Sequence, residues 1–174
     1  MTVTRALAET DTGEYTALLV RNREHLRPTD PERPDSYWTE EGQAALVARL
    51  LRERAAGTTY AFVILDPDGA LAGRITLNEV VRGPLQSASV GYWVSADREG
   101  RGLVSAALAE TVRFAFDELG LHRLQAGTLL HNERSQRVLL RAGFTQYGMA
   151  PKYLRIAGRW QDHLLFQLLA HDEE

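Results

Sequence analysis

Two short strings in this sequence carry residue types suited to holding a ligand. The first is Glu99-Gly100-Arg101-Gly102-Leu103-Val104, set between the strand-like Ala88–Val94 and a helical pattern that runs to Leu119. Its glycines let the backbone approach a ligand closely. The first N–H groups of the helix have no internal acceptors and lie at the positive end of its dipole. That is chemistry for phosphate, and the side chains of Arg98 and Arg101 add cationic charge beside it. The second string lies downstream: His131-Asn132-Glu133-Arg134-Ser135, then Val138-Leu139, then Gly143-Phe144. Asn132 is a good N-cap for the helix that follows, and with Ser135 it also offers polar atoms to a ligand. The two strings in this order are more specific than either alone, and they point to a ligand that carries a pyrophosphate.

Other phosphate-binding patterns do not fit. A dinucleotide fold needs a third glycine and a carboxylate ending a strand ~20 residues further on, and both are missing. A Walker loop needs Lys-Ser/Thr after its glycines. The bulk numbers exclude further classes. A chain of 174 residues with 44% hydrophobic and 25% charged residues reads as one ordinary globular domain over residues 1–174. No apolar run approaches the ~18 residues of a membrane span, and no signal pattern opens the chain, so no membrane and a cytoplasmic location are expected. A net charge of −3 gives no field to recruit nucleic acid. Zero cysteines exclude disulfides, thiolate metal sites and a cysteinyl-acyl intermediate. No metal site is expected.

The elements that must position these strings follow from periodicity and punctuation. Residues 13–24 and 39–56 read as helices, the second with Thr39 as N-cap and Gly57 just past its end. Between them Arg27-Pro28-Thr29-Asp30-Pro31 and Pro34 form an irregular connection. Thr59–Leu65 and Leu71–Val80 read as a hairpin around Asp66-Pro67-Asp68-Gly69. Ala88–Val94 is a third strand and 102–119 a helix ended by Gly120. Arg123–Leu130 is a strand and Glu133–Ala142 a helix. Thr145–Met149 begins a strand, and Tyr153–Ile156 with Trp160–Leu168 forms a closing hairpin. This order argues an α/β fold of the α+β type with a mostly antiparallel sheet.

At this point the residues resemble the GNAT superfamily of acetyl-coenzyme A-dependent N-acetyltransferases. The superfamily pattern Q/R-x-x-G-x-G/A lies over Glu99 to Val104. Gly102 fits it, while Glu99 stands where Gln or Arg is usual and Val104 where Gly or Ala is usual. The chain is more similar to the branch of ribosomal-protein alanine N-acetyltransferases, whose loop reads Gly-Arg/Lys-Gly-Leu/Ile. Arg21–Pro31 resembles their Asn-Arg-x-x-Leu-x-Pro segment, and Asn78 to Gly83 their Asn-Val-Val-Arg-Gly. Asn132-x-x-Ser135 through Gly143-Phe144 resembles their second motif. Tyr153-Leu154, Ile156, Gly158, Trp160 and Asp162-His163 resemble their last hairpin.

The resemblance implies a mixed, mostly antiparallel sheet of about seven strands flanked by about four helices. It implies acetyl-CoA as cosubstrate and direct attack of a primary amine on it in a ternary complex. Trp93, Val94 and Ser95 are expected to offer backbone to the pantetheine arm, and the N–H near Val94 to polarise the thioester carbonyl. Arg98, Gly100, Arg101, Gly102, Leu103, Val104 and Ser105 are expected at the pyrophosphate, and Asn132 and Ser135 at the thiol end. Many superfamily members place a tyrosine acid four residues after the Ser135 position, where this chain has Leu139, so Ser135 is the candidate proton donor. A sister branch places a glutamate base where Leu154 stands here. The candidate bases are therefore Glu79, Asp162 and His163, or ordered water. Asn78, Arg82 and Tyr153 are the candidate acceptor contacts.

The acceptor expected is the N-terminal α-amine of a protein such as a ribosomal protein. An α-amine, with pKa about 7.7–8.0, needs less help from a base than a lysine amine at about 10.4. The alternatives are a small amine such as an antibiotic, polyamine or amino acid, or a non-catalytic module that binds acetyl-CoA. The protein is expected to act as a monomer or homodimer.

Overall fold

Tyr60–Leu65 (β2) is apolar at every position, the mark of a strand covered on both faces. Phe62 and Ile64 enter one hydrophobic cluster and Ala61 and Val63 another. A computed structural model describes residues 2–170, so Met1 and residues 171–174 of the single-domain span lie outside it. Around β2 it builds a seven-stranded sheet: β1 (Thr4–Ala6), β2, β3 (Leu71–Val81), β4 (Ser87–Val94), β5 (Arg123–Leu129), β7 (Arg159–Leu169) and β6 (Thr145–Ile156), in that spatial order. Every pairing is antiparallel except β4 with β5. Helices α1 (Thr12–Arg21), α2 (Arg23–Leu26) and α3 (Glu40–Ala55) lie on one side. On the other are α4 (Leu103–Arg113) and α5 (Glu133–Arg141). Tyr15, Leu19 and Val47 pack under the first set; Leu103, Leu108 and Leu139 pack under the second.

Four elements differ from the sequence expectation. The helix over 13–24 breaks at Asn22, whose side-chain amide turns back to the Leu18 carbonyl at 2.8 Å. The helix over 102–119 widens after Arg113 into a π turn, Phe114–Glu118, where Phe114 packs edge-on against Tyr60 and Phe62 under the Arg54 guanidinium. β1 was not expected, because three residues carry no periodic signal. It is tied down by Glu110 of α4, whose carboxylate accepts the N–H groups of Val3 and Thr4 at 2.8 and 2.9 Å. Finally, Thr145–Met149 and Tyr153–Ile156 are one strand, irregular between Ala150 and Leu154. Pro151 brings no N–H to the ladder there. Lys152, at φ 48°, donates its N–H to Asp162 Oδ1 at 2.8 Å.

The feature that positions a site is the parallel pair. β4 and β5 pair only from Ser87 to Ser89 against Arg123 to Gln125. Beyond that they diverge, leaving an opening in the middle of the sheet.

Candidate active site

The opening holds a cavity of about 590 Å³, walled by Val90–Val94 of β4 and Ala126–Leu129 of β5. Strand alternation assigns its walls to two faces. Val90, Tyr92 and Val94 turn toward α4 and α5, as do Ala126 and Thr128. Gly91, Trp93, Gly127 and, from β7, His163 turn toward α1 and α2.

On the α4–α5 face the Gly100–Gly102 loop leads into α4. Both glycines have left-handed φ, 72° and 77°, with open space where a Cβ would project. The first backbone bond of α4 runs from the Ala106 N–H to the Gly102 carbonyl at 3.0 Å. The N–H groups of Leu103, Val104 and Ser105 thus precede the helical ladder. Leu103 is buried in the core, Val104 lines the cavity, and Arg101 and Ser105 are exposed. Asn132 caps α5, its Oδ1 accepting the Ser135 N–H at 3.2 Å. Ser135 Oγ lies 2.8 Å from the Tyr92 hydroxyl, which reaches across from β4. Burial pushes the Tyr92 hydroxyl up to about 12, with the Ser135 hydrogen bond acting in the opposite sense. Nearby, Thr128 Oγ1 is buried in the cavity wall without a partner among the described residues. A glycine cradle, uncommitted N–H groups and an orphaned hydroxyl fit an elongated ligand with phosphates at one end and amide groups behind.

On the other face His163 is 3% exposed and lines the cavity. Its Nδ1 lies 3.0 Å from the Gln161 carbonyl oxygen. A carbonyl can only accept, so Nδ1 carries the hydrogen and the neutral ring keeps its lone pair on Nε2. Tyr153 sits edge-on to this imidazole at 5.6 Å and is half exposed at the rim.

An acetyltransferase (GNAT) domain model matches residues 3–145. The chain belongs to the GNAT acetyltransferases. It is 36% identical over 98% of its length to "Probable N-acetyltransferase YjcK" of Bacillus subtilis (strain 168), covering 94% of that protein. It is 31% identical over the same share to the [ribosomal protein uS5]-alanine N-acetyltransferase of Escherichia coli (strain K12), covering 88% of it. Among solved structures, Mycobacterium smegmatis RimJ in complex with CoA-disulfide superposes with a TM-score of 0.92 at 31% identity, over 96% of this chain and 81% of that one. The protein is thus an N-acetyltransferase with acetyl-CoA as cosubstrate.

The acetyltransferase does not bring all the expected residues together. Trp93, Val94, Val104, Asn132, Ser135, Asn78 and His163 line the cavity. The Trp93 indole itself packs toward α1 and donates to the Tyr15 hydroxyl at 3.2 Å. Glu79 and Arg82 do not line it: Glu79 is exposed at φ 53° in an irregularity of β3, and Arg82 donates to the Leu119 carbonyl at 2.5 Å. Asp162 accepts the Lys152 N–H. Arg98 is drawn to the buried Asp66 at 3.1 Å. Glu99 reaches His25 of α2 at 3.3 Å and Arg134 of α5, joining elements from the two faces at the cavity mouth.

Ser95 is a fastener. Its buried hydroxyl meets Asn22 Nδ2 at 2.9 Å and Asp97 Oδ1 at 2.5 Å, while Asn22 Oδ1 accepts the Ala96 N–H at 2.9 Å. This network ties the α1–α2 junction to the chain entering the glycine loop. Asn22→Ala removes its bonds to Ser95 and Ala96, leaving only the Ser95–Asp97 bond, and strands the buried Ala96 N–H, so it lowers stability by about 2–3 kcal/mol. Chemical denaturation at unchanged m-value measures the loss, and a variant as stable as the parent contradicts this role for Asn22.

Four residues that shape the site were not singled out from sequence: Arg74, Tyr92, Gly127 and Thr128. Strand parity was the available signal, since each alternates with a residue facing the opposite way.

Proposed function

We propose that this acetyltransferase modifies the N-terminal α-amine of a protein, with a ribosomal protein as the first class to test. The observation that carries this reading is the cavity spanning both faces of the sheet, with His163 on one side and Ser135 with Tyr92 on the other. The likeness to the uS5-alanine enzyme over nearly the whole chain supports the choice of acceptor.

Acetyl-CoA, when bound, supplies the activated acetyl group. Gly100, Gly102 and the first N–H groups of α4 hold phosphate, with Arg101 exposed beside them. Thr128 Oγ1 and the backbone of Val94 supply hydrogen bonds along the opening, whereas the Trp93 backbone is turned to β3 opposite Arg74. The acceptor amine enters from the α1–α2 side, past Asn78 and with Tyr153 at the rim. His163 Nε2 takes its proton. Ser135 Oγ, on the opposite side, holds the proton that the departing thiolate would take, and Tyr92 Oη, 2.8 Å away, orients that hydroxyl and returns a proton to it. With no cysteine in the chain, transfer is direct.

The reading is tested by thiol release from acetyl-CoA with peptides that begin with free Ala or Ser, against a panel of small amines. Turnover of the peptides, abolished by blocking their N-termini, is expected. Turnover confined to small amines sinks the protein-acceptor reading.

Tyr92→Phe separates the proposed relay from packing. It lowers kcat about ten-fold with KM for acetyl-CoA unchanged, a modest share of what proton transfer gives. The raised Tyr92 value keeps the hydroxyl protonated through the assay range. An unfolded tyrosine ionises near 10 and the native one near 12, so the unfolded state binds fewer protons between them and stability falls as pH rises there. In Tyr92→Phe that alkaline loss is smaller. A variant with parental kcat ends the relay.

A further inference from the structure

The α1–α2 face of the cavity holds a charge that the proposed reaction leaves unused. Alternation along β3 turns Arg74, Thr76 and Asn78 in succession to this face, and all three line the cavity. The Arg74 guanidinium sits beside the Tyr15 ring, 5.5 Å from its centre. Three guanidinium groups line the cavity against two carboxylates, and both carboxylates are engaged elsewhere. Asp30 pairs with Arg33 at 3.3 Å, and Glu99 with His25 and Arg134. Among the described residues Arg74 has no ion pair; the Tyr37 hydroxyl is its hydrogen-bond partner, and Asp30 acts on it at longer range. A guanidinium is charged at every working pH. Withdrawn from bulk water without a paired carboxylate it carries a desolvation cost, which the Tyr15 ring, the Tyr37 hydroxyl and, at longer range, Asp30 offset.

We infer that Arg74 selects acceptors that bring a carboxylate close to the reacting amine, such as N-terminal peptides with an acidic residue in the second or third position. This rests on acceptor entry from the α1–α2 side, as proposed above. The spacing suits it. Thr76 pairs with Gly91 at the opening, and Arg74 lies two residues along the strand, about 7 Å away. One or two peptide residues cover that distance at ~3.8 Å between successive Cα atoms. The same cation disfavours polycationic amines.

The experiment measures kcat/KM of the full chain with matched peptides, Ala-Asp, Ala-Asn and Ala-Lys on one neutral tail, and with small primary amines in carboxylated and amide forms. The Asp peptide is expected to exceed the Lys peptide by about ten-fold or more, chiefly through KM, the low end for close charge pairs. The ratio falls with added salt. It collapses in Arg74→Gln and persists in Arg74→Lys. A wild-type ratio near one, or a ratio unchanged in Arg74→Gln, overturns the inference. If Arg74→Gln does not fold, the wild-type ratio with its salt dependence, read beside Arg74→Lys, decides. If every peptide is inert while small amines turn over, the protein-acceptor reading fails, and the carboxylate-against-amide pair still judges Arg74.

Discussion

Gly127→Val is expected to lower kcat/KM for the acceptor by about 100-fold, the scale of an ångström-level misplacement of a reactant, while affinity for acetyl-CoA stays as it was. Gly127 lies on β5 where that strand has left β4, with its Cα hydrogens toward the α1–α2 face. A Cβ added there meets His163 Cδ2 at 3.7 Å, Tyr153 Cε1 at 3.8 Å and Leu165 Cδ2 at 3.9 Å, all ordinary contacts. Gly127→Ala therefore keeps most activity. The γ-methyls of valine reach further, into the space beside the His163 ring that we propose as the path of the amine. Valine suits a strand, so the chain still folds. Steady-state kinetics with calorimetric binding of acetyl-CoA separate the two faces. Full activity in the valine variant, or parallel loss of acetyl-CoA binding, would show that acceptors do not pass this point.

The glycine that makes this passage is silent in the sequence, and the reason is physical. The Gly100–Gly102 turn is legible because its geometry is local: backbone conformation and a helix start lie within six consecutive residues. The Asn132 cap is legible for the same reason, and the structure shows both the turn into the helix and the cap. Gly127 matters only because β4 and β5 stop pairing, which depends on what each strand packs against. Tyr92 and Arg74 lie on strands that were located correctly, yet their roles depend on which face each residue takes. That parity shifts wherever a strand is irregular, as β3 is against β4 between Asn78 and Val81. The expected bases divide along the same line. Glu79 and Asp162 have the right chemistry, but an irregular turn of β3 and a backbone N–H take them out of the cavity. Only His163 is carried into it, by the register that sets it opposite Leu129 of β5.

That register supports the second large effect. His163→Gln is expected to lower kcat by about 100- to 1,000-fold near pH 7, within the range of general-base contributions. Glutamine preserves polar character and can still donate to the Gln161 carbonyl, which limits the stability cost of stranding that group. What it cannot do is accept a proton and keep it. A structural role and a basic role then part company with pH. An α-amine with pKa about 7.7–8.0 is mostly neutral by pH 9 and no longer needs a base to free its lone pair. The deficit of His163→Gln therefore shrinks as pH rises toward 9, and shrinks at fixed pH for acceptors whose amines are less basic. A His163 that merely packs against Tyr153 and Gly127 gives a deficit that is the same at both ends of the range. Thermal melts at each pH exclude a difference in folding, and a pH-independent loss assigns proton removal to solvent rather than to this imidazole.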